Sequence, residues 1–317
     1  MSPGRNVSSQ VAGTPARRRR GELPASLFAL VINLPTILLV SFVLFVPIVY
    51  AFYLSLTKIN IGALRRGFPF PFVGFENYLF VLDDPLFLLS LSHTLIFAAF
   101  TVVVEVVLGL AIALLIAESR LWISRLTRFL ILLPYGVPYV ANGLVWVYIY
   151  NSQFGFLNRF LFNLGLIDTY RDWLGNSQTV LFMVSVPYIW RTLPFAVLLF
   201  HAALQSIPKQ YYDAAQVDGA GYWQIFFRIV LPLLRPVLAI VIILRTTFAF
   251  LVFDEVLAIT QGGPGDATWV ASWYAYKKSF EPPFAIGLGA AASFILALIL
   301  FILALIYVKT ILRRGYR

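Results

Sequence analysis

Five ionisable residues stand inside or at the ends of long apolar runs: Glu105, Arg191, Arg245, Asp254 and Glu255. A charge at bilayer depth costs roughly 2.5–3.5 kcal/mol even on a lenient insertion scale, so such groups normally face protein or water. Two chemistries suit them. The arginines could pair with the acids and hold a helix bundle together. Alternatively, carboxylates and guanidinium forks could line a polar cavity and hydrogen-bond the hydroxyls of a solute while aromatic faces stack on its ring. Two stretches carry that second set: Tyr188-Ile189-Trp190-Arg191-Thr192-Leu193-Pro194-Phe195, and the run from Arg245 through Thr247, Phe250 and Leu251 to Asp254. Other chemistry is short of parts. The chain has no Cys, which excludes a disulfide framework and Cys-ligated metals, and its two His, His93 and His201, lie on different segments. Gly-x-x-x-x-Gly-Lys-Ser/Thr, His-Glu-x-x-His and Gly-x-Ser-x-Gly are all absent, so nothing here should bind and hydrolyse ATP alone or act as an intramembrane hydrolase.

The elements that must position these residues are apolar. Of 317 residues, 60% are hydrophobic and 12% charged, against about 45–50% and about 25% in soluble proteins, which excludes a soluble globular enzyme. Six segments, 28–54, 91–117, 127–150, 179–205, 236–259 and 285–311, are each long enough to cross about 30 Å of hydrocarbon. The chain reads as one all-α polytopic membrane domain over 27–317 with six transmembrane helices. Pro35, Pro47, Pro134, Pro138, Pro187 and Pro194 fall within spans and should kink or locally break them.

The formal charge of +10 could suggest nucleic acid, but its location decides otherwise. With the N-terminus inside, fifteen of the 24 Lys and Arg fall on inner segments, seven on outer loops and two within spans, which places both termini in the cytoplasm. Residues 1–26 lack apolar periodicity and read as a disordered cytoplasmic tail, and Arg17 to Arg20 as an anchor at the anionic inner leaflet. The aromatic outer loops, 55–90 and 151–178, suit interfacial belts or an extracytoplasmic partner surface.

Between the fourth and fifth spans lies a cytoplasmic segment, 206–232. It reads as a short helix opened by Ser206 with Pro208 in its first positions and ended by Gly219. A second short amphipathic helix follows, stopped by Pro232. Tyr211, Ala214, Ala215 and Val217, with the small Gly219 and Ala220, would offer a compact knob for docking into a groove of a partner.

The run Asp-Ala-Ala-Gln-Val-Asp-Gly-Ala at 213–220, followed by Phe227, Ile229 and Leu231-Pro232, resembles the signature loop of permease subunits of binding-protein-dependent ABC importers. It departs in having Asp213 where the pattern has Glu. Phe253 to Gly265, continued by Ala267-Thr268 and Tyr274-Ala275-Tyr276, is similar to carbohydrate permeases of the maltose, trehalose and glycerol-3-phosphate type, specifically the first of two unlike subunits. Phe75-Glu76-Asn77-Tyr78 resembles an outer-loop element of the same group.

That resemblance implies a type I ABC importer transmembrane fold in a bacterial or archaeal cytoplasmic (inner) membrane. It implies ATPase coupling through Tyr212, Asp213, Ala214, Ala215, Asp218, Gly219, Ala220 and Pro232. Solute contacts carry over to Tyr188, Arg191, Thr192, Phe195, Thr247, Phe250, Leu251 and Asp254. Several of these types differ from the amide-rich maltose pattern. The chain would not itself be an enzyme and would hold no cofactor or metal, ATP and Mg being bound by partners. Those partners would be two ATP-binding subunits, a second six-span permease and an extracytoplasmic sugar-binding protein, with a sugar as substrate and no nucleic acid. A passive channel and a membrane scaffold are the alternatives.

Overall fold

The computed structural model describes residues 25–118 and 121–312. The tail expected over 1–26 lies, up to residue 24, outside them, as does the Arg17 to Arg20 anchor. The helices are α1 (Ala25–Ser55), α2 (Ile61–Arg66), α3 (Glu76–Asp83), α4 (Pro85–Glu118), α5 (Leu121–Leu132), α6 (Tyr139–Tyr150) and α7 (Phe156–Asn163). They continue with α8 (Val180–Gln205), α9 (Lys209–Val217), α10 (Tyr222–Ile225), α11 (Leu231–Phe250), α12 (Asp254–Ile259), α13 (Ala271–Phe280) and α14 (Ile286–Tyr307). Among the described residues the only extended pairing is a single bridge between Thr57 and Phe72.

Two compact units divide after Tyr50. The first is the N-terminal part of α1, apolar on every side and exposed from Leu27 to Tyr50 except for half-buried Ser41. A helix apolar all round is a membrane span rather than an amphipathic surface helix. Despite Pro35 and Pro47 it runs unbroken.

In the second unit, helices long and apolar enough to cross a membrane cover Pro85–Glu118, Val180–Gln205, Tyr222–Phe250 and Ile286–Thr310. α4 against α8 is the most extensive helix contact. One core cluster gathers Phe97, Val184, Tyr188, Ala249 and Phe250. A second, around Phe200, Leu204, Leu234 and Val241, joins the later part of α8 to the earlier part of α11. The Phe75-Glu76-Asn77-Tyr78 element is a clamp: buried Asn77 donates through Nδ2 to the Ser55 and Thr57 carbonyls at 2.8 and 2.9 Å, and the Tyr78 hydroxyl meets that of Ser55 at 2.7 Å. Asp84, just before α4, accepts from the Tyr274 hydroxyl at 2.7 Å and from Lys278 Nζ at 3.0 Å. Burial opposes its charge, but these hydrogen bonds and the adjacent Lys278 outweigh it and hold the carboxyl below its ordinary value.

Two expected spans differ from their sequence boundaries. The segment 127–150 is not one rod: Arg125–Gly136 and Tyr139–Tyr150 meet at a 98° bend, where Pro134 starts a tight turn and Pro138 precedes α6. The segment 236–259 stops being one helix at Phe250, breaks over residues 251–253 and resumes as α12. Non-helical backbone at membrane depth is tolerated where it is buried in protein or lines a cavity. Pro187 and Pro194 carry the same sequence signal as Pro134 but leave α8 continuous. Pro187 lacks the N–H that would serve the Met183 carbonyl, and the Tyr150 hydroxyl donates to that carbonyl at 3.0 Å instead. Asn142 Nδ2 donates to the Pro187 carbonyl at 3.2 Å. Two α6 side chains thus bond the backbone of α8 around its proline. Gly143 lets α6 press on α12, since a Cβ there would stand 2.5 Å from that of Ala258.

Candidate functional site

The two breaks meet at one cavity of about 190 Å³. Tyr135 enters from the turn between α5 and α6, and Tyr139 from the first residue of α6. α8 supplies Tyr188, Arg191 and Thr192, at the 3- and 4-residue spacing that puts side chains on one helical face. Arg245 and Phe248, three apart on α11, line it by the same rule. The break contributes Leu251, Val252 and Phe253, and α12 contributes Asp254 and Glu255.

The charged groups form two unlike pairs. Glu105, fully buried on α4, accepts from both Nε and Nη2 of Arg245, the latter at 2.9 Å. Thr192 Oγ1 donates to the same carboxylate at 2.5 Å, and Arg245 Nη2 also donates to the Tyr188 hydroxyl at 3.2 Å. This network ties α4, α8 and α11 together with a forked pair, the strong form of a charge-assisted hydrogen bond. The second pair is open. Arg191 Nε stands 3.8 Å from Glu255 Oε1, and among the described residues neither atom has a hydrogen-bond partner. The Arg191 guanidinium lies 3.3 Å over the ring of Tyr139, a cation–π contact.

Five of the eight residues expected to contact solute therefore line the cavity: Tyr188, Arg191, Thr192, Leu251 and Asp254. Phe195, Thr247 and Phe250 do not. Phe250 is packed into the core cluster, and Thr247 turns its hydroxyl back onto the Ile243 carbonyl at 2.8 Å. Phe195 is half-buried one turn further along α8. Tyr135, Tyr139, Phe248, Val252 and Phe253 were not among the expected contacts. The two tyrosines come from a bend whose sharpness local sequence does not encode, whereas Phe248 was accessible from its spacing to Arg245.

The segment 206–232 differs in part from its sequence reading. Ser206 closes α8 rather than opening α9, its hydroxyl donating to the Ala203 carbonyl at 2.7 Å. α9 begins after Pro208 and ends as expected: Gly219 has φ +75°, with Ala220 N–H donating to the Ala215 carbonyl at 2.9 Å and Gly219 N–H to Gln216 at 3.0 Å. That is a Schellman closure, which needs a residue at ease with positive φ. Pro232 does not stop the second helix. Five residues, Phe226–Val230, form a wider π-turn, and α11 starts at Leu231 with Pro232 in its first turn, where a missing N–H is tolerated. A continuous helical path thus runs from Tyr222 to Phe250, from the short segment to the cavity wall. On α9 Asp213, Ala214 and Val217 are exposed, as is Asp218 just after it, while Tyr212 is half-buried and Ala215 is buried.

Residues 105–317 match the family described as binding-protein-dependent transport system inner membrane component. The chain belongs to this family. It is 35% identical over 282 residues to the trehalose/maltose transport system permease protein MalF of Thermococcus litoralis, spanning 89% of this chain and 92% of that one. It is 32% identical over 294 residues to the sulfoquinovosyl glycerol transport system permease protein SmoG of Agrobacterium fabrum, at 92% and 91% coverage. A chain in the crystal structure of a bacterial alginate ABC transporter in complex with an alginate pentasaccharide-bound periplasmic protein superposes with a TM-score of 0.76. That match covers 92% of this chain and 96% of the other at 21% identity, which shows the same fold. The family match opens at Glu105 and includes α8, α9, α11 and α12, so the whole ion-pair network and the 206–232 segment lie within the part typical of an inner membrane transport component.

Proposed function

We propose that this chain forms half of the translocation pathway of an ATP-driven importer of di- or oligosaccharides and hydrolyses nothing itself. The observation that carries the reading is the cavity between two broken spans, with tyrosines, guanidinium groups and carboxylates converging on it. A sugar presents ring faces for the aromatics and hydroxyls for the charged groups. The relatives named for trehalose and maltose or for sulfoquinovosyl glycerol support a glycoside as solute.

α9 and its Gly219 turn would seat in a separate ATPase subunit, with Tyr212, Asp213, Ala214, Ala215, Asp218 and Ala220 at or beneath the contact. Pro232 and α11 would carry the movement to Arg245 and Phe248 in the cavity wall. ATP and Mg would be held by two such subunits. A second, unlike six-span permease would complete the pathway and an extracytoplasmic binding protein would deliver solute to the outer loops, both termini of this chain lying in the cytoplasm. Affinity purification of the tagged chain from native membranes tests the assembly. The expected eluate holds a second six-span chain and an ATPase in fixed proportion; recovery of this chain alone under conditions that preserve its fold overturns the reading.

A further inference from the structure

The two arginines of the cavity wall are paired with glutamates in different ways, and the difference points to the solute. Arg245 and Glu105 are closed on each other, with Thr192 and Tyr188 satisfying further positions. Arg191 and Glu255 are 4% and 1% exposed, face the same cavity and stay 3.8 Å apart. That is beyond hydrogen-bond reach. Arg191 is stacked on Tyr139, and Glu255 stands in the first turn of α12. Buried polar atoms without partners are rare and costly, so a third group between them is favoured.

Neither atom is open to a water-sized sphere in this structure, so the two side chains must part slightly to admit a hydroxyl oxygen between them. Placed about 2.8 Å from each atom, it would accept from Arg191 Nε–H and donate its own proton to Glu255 Oε1. A carboxylate or sulfonate has no proton for Glu255, and its charge would stand beside the acids at 254 and 255. Arg245, the other guanidinium in the wall, is already committed to Glu105. Resting on the importer reading above, we propose that the Arg191–Glu255 gap is a specificity subsite that takes one hydroxyl of an uncharged sugar and disfavours acidic sugars.

The test uses the assembled transporter in proteoliposomes, with its binding protein, second permease and ATPase subunits. The probes are maltose, trehalose, sucrose and cellobiose, the monodeoxy analogues of whichever is taken up, and an unsaturated alginate disaccharide as the acidic probe. A neutral probe is expected to enter, and one of its monodeoxy analogues to be transported about 10- to 100-fold less efficiently. In Glu255→Ala that gap between parent and analogue should collapse, because the hydroxyl no longer has its acceptor. Arg191→Lys, which keeps the charge and drops Nε, should reduce the same ratio and supplies the reading if Glu255→Ala does not assemble. Because both sugars meet the same binding protein, the ratio across variants reports on this chain.

A ratio in both variants equal to that of the unaltered transporter overturns the proposal and leaves a water or a partner side chain in the gap. Uptake of the acidic probe alone also overturns it while leaving the importer reading intact. ATP-driven uptake of none of the probes overturns the importer reading and this subsite with it.

Discussion

Removing one member of the closed ion pair should damage the fold far more than removing both. Glu105 accepts three hydrogen bonds, two from Arg245 and one from Thr192, at a site with no solvent exposure. Glu105→Leu would leave Arg245 with the Tyr188 hydroxyl at 3.2 Å and the ring faces of Tyr188 and Phe248 at 5.5 and 5.9 Å, and no carboxylate. Stranding one charge of a buried pair costs about 3–5 kcal/mol, roughly 2 to 3.5 orders of magnitude in the folded-to-unfolded ratio. Arg245→Met should cost a similar amount by stranding Glu105. The double replacement, Glu105→Leu with Arg245→Met, removes both desolvated charges and fills the space with apolar atoms. Thr192 has one hydroxyl proton, and once Glu105 is gone that proton turns wholly to the Tyr188 carbonyl at 2.6 Å, so only the Tyr188 hydroxyl loses a partner. The double variant is therefore expected to be more stable than either single one. Thermal unfolding of the purified complex in detergent, followed with the yield of assembled protein, measures all three. Single variants within about 0.5 kcal/mol of the unaltered protein would refute the reasoning, as would a double variant whose loss equals the sum of the two.

Gly219→Pro demands φ near −65° where the chain has +75° and deletes the N–H that bonds Gln216. It is expected to abolish solute-stimulated ATP hydrolysis while the spans still assemble, and unchanged stimulation would count against a coupling role for α9. Tyr150→Phe leaves the Met183 carbonyl beside Pro187 without its donor and should cost about 0.6 kcal/mol and at most about 1.7, the average and the maximum found for interhelical hydrogen bonds in a membrane protein; an unchanged melting temperature would refute that account of the unbroken α8. Asp84 is held below its ordinary pKa, so its stabilisation is fully present above the unfolded value of about 4 and is lost as pH falls through the lower folded value. The melting-temperature gap between the unaltered protein and Asp84→Asn should accordingly narrow below about pH 4, and a gap independent of pH would contradict the assignment.

The long spans were legible because their signal is local. The apolar runs that became α4, α8 and α14 needed only length, and the positive φ of Gly219 was implied by a glycine after a helical run. The breaks were not legible, for a physical reason visible in the prolines. Pro134 and Pro187 read alike, yet one marks a 98° bend and the other sits in a continuous helix whose freed carbonyl is served by Tyr150. The break at residues 251–253 contains neither Gly nor Pro and carried no signal at all. For the site, charges within apolar runs singled out Glu105, Arg191, Arg245, Asp254 and Glu255. Which acid meets which arginine depended on the packing of α4, α8, α11 and α12, and Tyr135 and Tyr139 entered only through the bend.

The most direct test of the central claim is uptake of radiolabelled disaccharide by proteoliposomes that hold the assembled transporter, with ATP and Mg supplied on the ATPase side and the binding protein on the other. Accumulation above the outside concentration is expected, lost when ATP is omitted and lost when Gly219→Pro replaces the unaltered chain. Uptake that merely equilibrates across the membrane, at the same rate with and without ATP, would contradict an ATP-driven pathway through this subunit.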